Sequence, residues 1–119
     1  MSVTSKLQLK PGQSVAILSQ PKEVDLALPG EVPVVADPDG ADAVIVFATN
    51  RDELDRRRRP LITAAKRDAL TWLAYPKAGK LGADINRDSL YQLLLGDGIQ
   101  PVRQISVDDT WSALRFRPS

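Results

Sequence analysis

Ala43-Val44-Ile45-Val46-Phe47-Ala48-Thr49 decides the fold. Both alternating sets of side chains in this run are apolar, and its middle is β-branched. A strand with one wet face alternates apolar with polar residues, so a run apolar on both faces belongs in the centre of a sheet covered on each side. Asn50 follows at once, with Glu53 at the spacing by which side chains cap a helix N-terminus, so a helix starts at about Arg51. A strand running directly into a helix is the repeating unit of a parallel α/β sheet.

Upstream, Asp37-Pro38-Asp39-Gly40 is a strong turn signal, and Val32–Ala36 before it reads as a short second strand with Pro33 in an edge-compatible position. A first strand, Ser14–Leu18, follows the turn residues Lys10-Pro11-Gly12. Between these strands, Pro21–Leu28 reads as a short, weak helix closed by Pro29-Gly30. Downstream, Pro60 divides the helix into Arg51–Arg58 and Pro60–Lys66, because proline is disfavoured inside a helix and suited to the first position of a new one. Leu70–Tyr75 is the next strand, and Pro76–Asp84 the longest loop. Asn86–Leu95 carries Leu90, Leu93 and Leu94 at helical spacing and stops at Gly96-Asp97-Gly98. Val102–Val107 and Trp111–Phe116 are the last two strands, and the few residues between them, Asp108–Thr110, make an antiparallel hairpin the natural connection. Right-handed crossovers and that hairpin predict a mostly parallel six-stranded sheet of order 2-1-3-4-6-5, in a single three-layer α/β domain over 1–119, with the last strand antiparallel.

A chain of 119 residues with 43% hydrophobic and 26% charged residues is an ordinary single-core domain. Sixteen basic against fifteen acidic residues argue against nucleic-acid binding, which needs a clustered basic surface. Residues 1–11 hold no apolar signal core and no stretch is long enough to span a bilayer, so a cytoplasmic protein without membrane association is expected. With neither histidine nor cysteine, the chain lacks the usual general base, the usual metal ligands and the best side-chain nucleophile. No histidine is there to activate Ser19, Ser89 or Ser112, which leans the reading away from an enzyme.

Four segments, Leu7-x-Leu9-Lys10-Pro11-Gly12, Trp72-x-Ala74-Tyr75-Pro76-Lys77, Asp84-Ile85-x-Arg87-Asp88 and Thr110-Trp111-Ser112-Ala113-Leu114-Arg115-Phe116, together resemble the bacterial domain-of-unknown-function family 3052. The resemblance covers nearly the whole chain. It implies a bacterial cytoplasmic protein and brings no assigned activity with it. More distantly, the element order is similar to that of class I methyltransferases, a Rossmann-like frame with one strand-helix unit removed and the same closing hairpin.

Against that frame, Ser19-Gln20-Pro21 stands where a nucleotide-binding domain has its glycine-rich phosphate turn. Pro21 has no amide to donate, and neither Ser19 nor Gln20 permits the close approach that glycine does. The crevice of an open α/β sheet lies where the winding reverses, here between strands one and three, with Ser19, Gln20, Thr49 and Asn50 as its lining and Lys77 nearby. Asp37 occupies the place of a ribose-binding acid, although Pro38 and Asp39 beside it suit a plain turn former. Asp37, Asp39 and Asp42 lack the other ligands of a calcium loop, so no metal is expected. Lys77, Gly79, Lys80 and Gly82 either cradle an anion or form a solvated loop. Trp72 and Trp111 read as core.

In the run Arg56–Arg59, the spacing pairs Asp52 with Arg56, Glu53 with Arg57 and Asp55 with Arg59. Arg58 alone faces the apolar stripe of Leu54 and Leu61, so it meets either an internal acid or an interaction partner. The resulting expectation is a non-catalytic regulatory or protein-interaction module, without a cofactor, acting through a protein partner or a second copy of itself. The rival is a small enzyme or sensor that binds a nucleotide-like or small anionic metabolite at the carboxyl ends of the strands.

Overall fold

The computed structural model describes residues 6–26, 28 and 30–119. Strands β1 (Val15–Leu18), β2 (Val34–Val35), β3 (Ala43–Phe47), β4 (Leu70–Pro76), β5 (Ile99–Ser106) and β6 (Trp111–Pro118) form one sheet of order β2-β1-β3-β4-β6-β5. β3 pairs in parallel with β1 on one side and β4 on the other, and β6 runs antiparallel to both β4 and β5. The order and the antiparallel ending are those read from the sequence.

Every residue of β3 is buried, and its alternation divides the core in two. Val44 and Val46 face helices α1 (Arg51–Lys66) and α2 (Arg87–Leu95), through Leu54, Leu61, Leu90 and Leu94. Ala43, Ile45 and Phe47 face the other way, where turns and irregular chain supply Leu7, Leu9, Val24, Leu26 and Val32. Apart from Lys6, the third layer is non-helical among the described residues. Trp72 pins it: fully buried, it donates its indole N–H to the carbonyl of Leu7 at 3.0 Å. Trp111, also buried, packs edge-on against Phe47 at 5.3 Å between ring centroids.

The helix expected over Pro21–Leu28 is absent from the described part of that segment, Ala27 and Pro29 lying outside it. Val24 and Leu26 alternate with exposed Glu23 and Asp25, a period of two that buries apolar side chains from extended chain and not from a helix. The second strand is shorter than expected, because Pro33 has no amide for the ladder; its carbonyl still accepts from Val15 at 3.0 Å. β5 begins earlier, at Ile99, and absorbs Pro101 through a register irregularity between Pro101 and Arg103.

Pro60 does not divide the first helix: α1 runs unbroken over Arg51–Lys66. Proline leaves the Arg56 carbonyl without its helical donor. Yet Leu54, Leu61, Ala64 and Ala65 form one buried stripe on both sides of it, and that packing holds the two halves in one axis. The charge pairing also differs at one place. Asp52 and Glu53 pair with Arg56 and Arg57 as expected, but Asp55 turns to Arg51 and Arg58, and no acid among the described residues pairs with Arg59.

Arg58 therefore has internal partners. Its Nη2 lies 2.9 Å from Asp55 Oδ1 and its Nε 3.5 Å from Asp97 Oδ2, in the turn between α2 and β5. These atoms are shielded from solvent but lie off hydrogen-bond alignment, so the contact is one of charge and packing. Arg58→Ala is expected to lower unfolding free energy by about 1 kcal/mol in chemical denaturation, through lost charge pairing and lost stem packing. An unchanged midpoint together with a loss of self-association in sedimentation would assign Arg58 to an interface instead.

Candidate functional site

At the carboxyl edge between β1 and β3, the chain's own groups take up several of the amides. After β1, Ser19 takes a left-handed backbone (φ 63°) that glycine adopts more cheaply, and its side chain is exposed. Gln20 folds back to donate from Nε2 to the Val24 carbonyl at 2.8 Å. No described helix follows, so no row of helix amides faces the crevice from this turn.

After β3, the start of α1 is a helix N-terminus whose amides need acceptors. Asn50 Oδ1 accepts from the Glu53 amide at 2.9 Å, the cap expected from the sequence. Glu53 Oε1 reaches back to the Thr49 amide at 3.0 Å, and Asp84 Oδ1, from the loop after β4, accepts from the Arg51 amide at 2.7 Å. Arg57 closes the group, donating from Nη1 to Glu53 Oε1 and to the Phe47 carbonyl, each at 2.8 Å. The Thr49 amide, more than the Arg57 charge, holds the Glu53 carboxyl below the usual carboxylate range. An incoming phosphate would have to displace two carboxylates already bonded where it would sit.

The remaining sequence candidates scatter. Asp37 caps a 3₁₀ turn, Pro38–Gly40, accepting from the Asp39 amide at 2.9 Å, which is a turn former's work. Asp42 is taken up by the amide and hydroxyl of Ser14. Lys80 is exposed in the loop after β4, where its amide closes a turn onto the Lys77 carbonyl at 2.9 Å. Lys77 lines a hollow. Its ammonium lies 2.7 Å from Ser106 Oγ, at the mouth of a cavity of about 280 Å³ between the carboxyl end of β4, the hairpin and the first turn of α2. Tyr75, Gln104 and Ser112 line it with Lys77, whereas Ser19, Gln20, Thr49, Asn50 and Lys80 do not. Gln104 Nε2 donates to the Tyr75 hydroxyl at 3.0 Å, and burial pushes the Tyr75 phenol above its ordinary value.

Over 98% of its length the chain superposes on ribosomal protein L11 methylase from Lactobacillus delbrueckii subsp. bulgaricus, with a TM-score of 0.54, 11% identity and 75% of that chain covered. Over its whole length it superposes on a protein in the NADB-Rossmann superfamily from Streptococcus agalactiae, with a TM-score of 0.52, 9% identity and 68% of that chain covered. The fold is Rossmann-like. At such identities the likeness is one of fold alone. No protein-family model and no curated protein matches the sequence, so the resemblance to domain-of-unknown-function family 3052 is not supported.

Within this Rossmann-like frame, the spacing of Asn50 and Glu53 signals a cap but not where the Glu53 carboxylate goes. Asp84 carries no local signal, being 33 residues from the amide it caps. Tyr75, Gln104 and Ser112 meet only through strand register, so the cross-strand order of the hairpin would have been the signal to follow.

Glu53 also sets a pH dependence. A carboxyl whose pKa is lowered on folding adds stability above its unfolded value and loses that contribution as pH falls through the folded value. In denaturation measurements, Glu53→Gln is expected to be less stable than the parent chain at about pH 7, with the difference shrinking below about pH 4. A difference that stays constant with pH would remove the carboxylate from this role.

Proposed function

We propose that the chain is a non-catalytic regulatory or protein-interaction module on a degenerate methyltransferase-like frame. The observation that carries this reading is the start of α1, where Glu53, Asp84 and Asn50 already accept the amide hydrogens of Thr49, Arg51 and Glu53, three of those that could receive a ligand's phosphate or carboxylate. The titration behaviour of the chain points the same way. Hydrogen bonding to Thr49 lowers Glu53 and a pair of bonds from Arg117 lowers Asp68, while burial raises Tyr75. Each of these moves away from neutrality, where a general acid or base is poised.

A docking role has a surface to use. β5 is an edge of the sheet and exposes Val102, and α2 exposes Tyr91 and Leu95 one turn apart. No described helix is long and apolar enough to cross a membrane. Cytoplasmic residence in a bacterium, and kinship with family 3052, belong to this proposal as expectations from the sequence. The rival reading, a sensor for a small anionic metabolite, is favoured by the polar cavity beside β4 and not by the β1–β3 crevice.

Calorimetric titration of the chain with S-adenosylmethionine and with NAD tests the proposal. No saturable binding tighter than about 100 µM is expected for either. A dissociation constant in the low micromolar range for one of them would overturn it.

A further inference from the structure

Ser112 is a polar side chain with nothing to bond. It is only 7% exposed, and its hydroxyl makes no hydrogen bond to any described residue. It stands opposite Tyr75 on one neighbouring strand and Ser106 on the other, and directly opposed residues share a face of the sheet. Tyr75 belongs to the helix-side core, so Ser112 also looks toward α2 and lines the cavity there. The residue is largely buried, yet its hydroxyl opens into the cavity, where water or a ligand is left to complete it.

The groups around it are donors. Lys77 spends one of its three ammonium hydrogens on Ser106. The first turn of α2 closes the cavity from above, and the amides of Arg87 and Asp88 are not taken up by any described acceptor. Arg87 is engaged only with Asp88 at 3.7 Å, where both side chains are mostly exposed. A second hollow of about 270 Å³ continues past Arg87, Asp88 and Gln104, and there Tyr91, Pro101 and Leu114 give it an apolar wall, with Arg103 at its rim. Three cations thus face one carboxylate along a groove with a polar end and an apolar end.

We propose that this groove binds a small amphipathic oxyanion: a carboxylate or phosphate monoester whose charged head reaches Ser112, Lys77 and the α2 amides while its apolar tail lies against Tyr91, Pro101 and Leu114. The site lies away from the β1–β3 crevice, so it stands or falls independently of the non-catalytic reading. Asp88 is 90% exposed, and solvent screens its charge from the head group.

The test is a titration of the full ¹⁵N-labelled chain with phenyl phosphate, phenylacetate, inorganic phosphate and benzyl alcohol, followed by amide chemical shifts. Phenyl phosphate or phenylacetate is expected to saturate, with the largest shifts at Arg87, Asp88, Gln104 and Ser112; the tighter of the two names the head group. Inorganic phosphate is expected to bind at the same amides about tenfold more weakly for want of a tail, and benzyl alcohol not to saturate. Ser112→Ala is expected to weaken the tighter probe about tenfold, and Ser112→Thr, which keeps the hydroxyl, to restore it. Saturation by neither oxyanion, equal binding of benzyl alcohol, or shifts centred on Ser19 and Thr49 would overturn the proposal. Inorganic phosphate binding as tightly as phenyl phosphate would overturn the tail.

Discussion

A helix that begins directly at the carboxyl end of a central strand presents amides that its own turns cannot satisfy, and some acceptor has to be found for them. In this chain the acceptors are internal. Asn50 and Glu53 come from the helix itself, and Asp84 comes from the far side of the β4–α2 loop. The Asp84 bond does more than cap α1. It fixes the end of a loop whose next residues are the buried Ile85 and the α2 cap Asn86, and so sets where the first turn of α2 stands over the hairpin. The groove bounded by Lys77, Ser112 and α2 is a consequence of that placement. One set of hydrogen bonds thereby caps amides beside one crevice of the sheet and positions the wall of another groove.

The second organising constraint is the unlike covering of the two sheet faces. Helices bury one face of β3, while turns and irregular chain, held by the bond from Trp72 to the Leu7 carbonyl, bury the other. Because the segment after β1 lies flat with Val24 and Leu26 against the sheet, it cannot also turn a helix N-terminus toward the crevice. The absence of glycine at Ser19-Gln20-Pro21 and the non-helical chain that follows are two aspects of the same departure from a nucleotide-binding frame.

Much of this was legible in the residues. The doubly apolar run Ala43–Thr49, the Asn50 cap and the short 108–110 connection were sufficient for the sheet order, since handedness and hairpin rules leave few alternatives. Asp37 as a turn former and both tryptophans as core followed from local chemistry. The misreadings share a cause. At Pro21–Leu28 and at Pro60 local propensity points one way, and in each case burial of an apolar set against the sheet outweighs it. A fold rule places a crevice between β1 and β3, and side chains distant in sequence decide which of its amides are left for a ligand. Asp84 and Ser112 were out of reach for the same reason: each acts through a partner brought to it only by the tertiary fold.

Amide hydrogen exchange at the start of α1, measured on the ligand-free chain, tests the central claim most directly. Thr49 and Arg51 amides held by Glu53 and Asp84 should exchange slowly, and Glu53→Ala and Asp84→Ala should release them one at a time while Val46 in β3 keeps its protection. Fast exchange at both amides in the free chain, with protection appearing only when NAD or S-adenosylmethionine is added, would contradict the account.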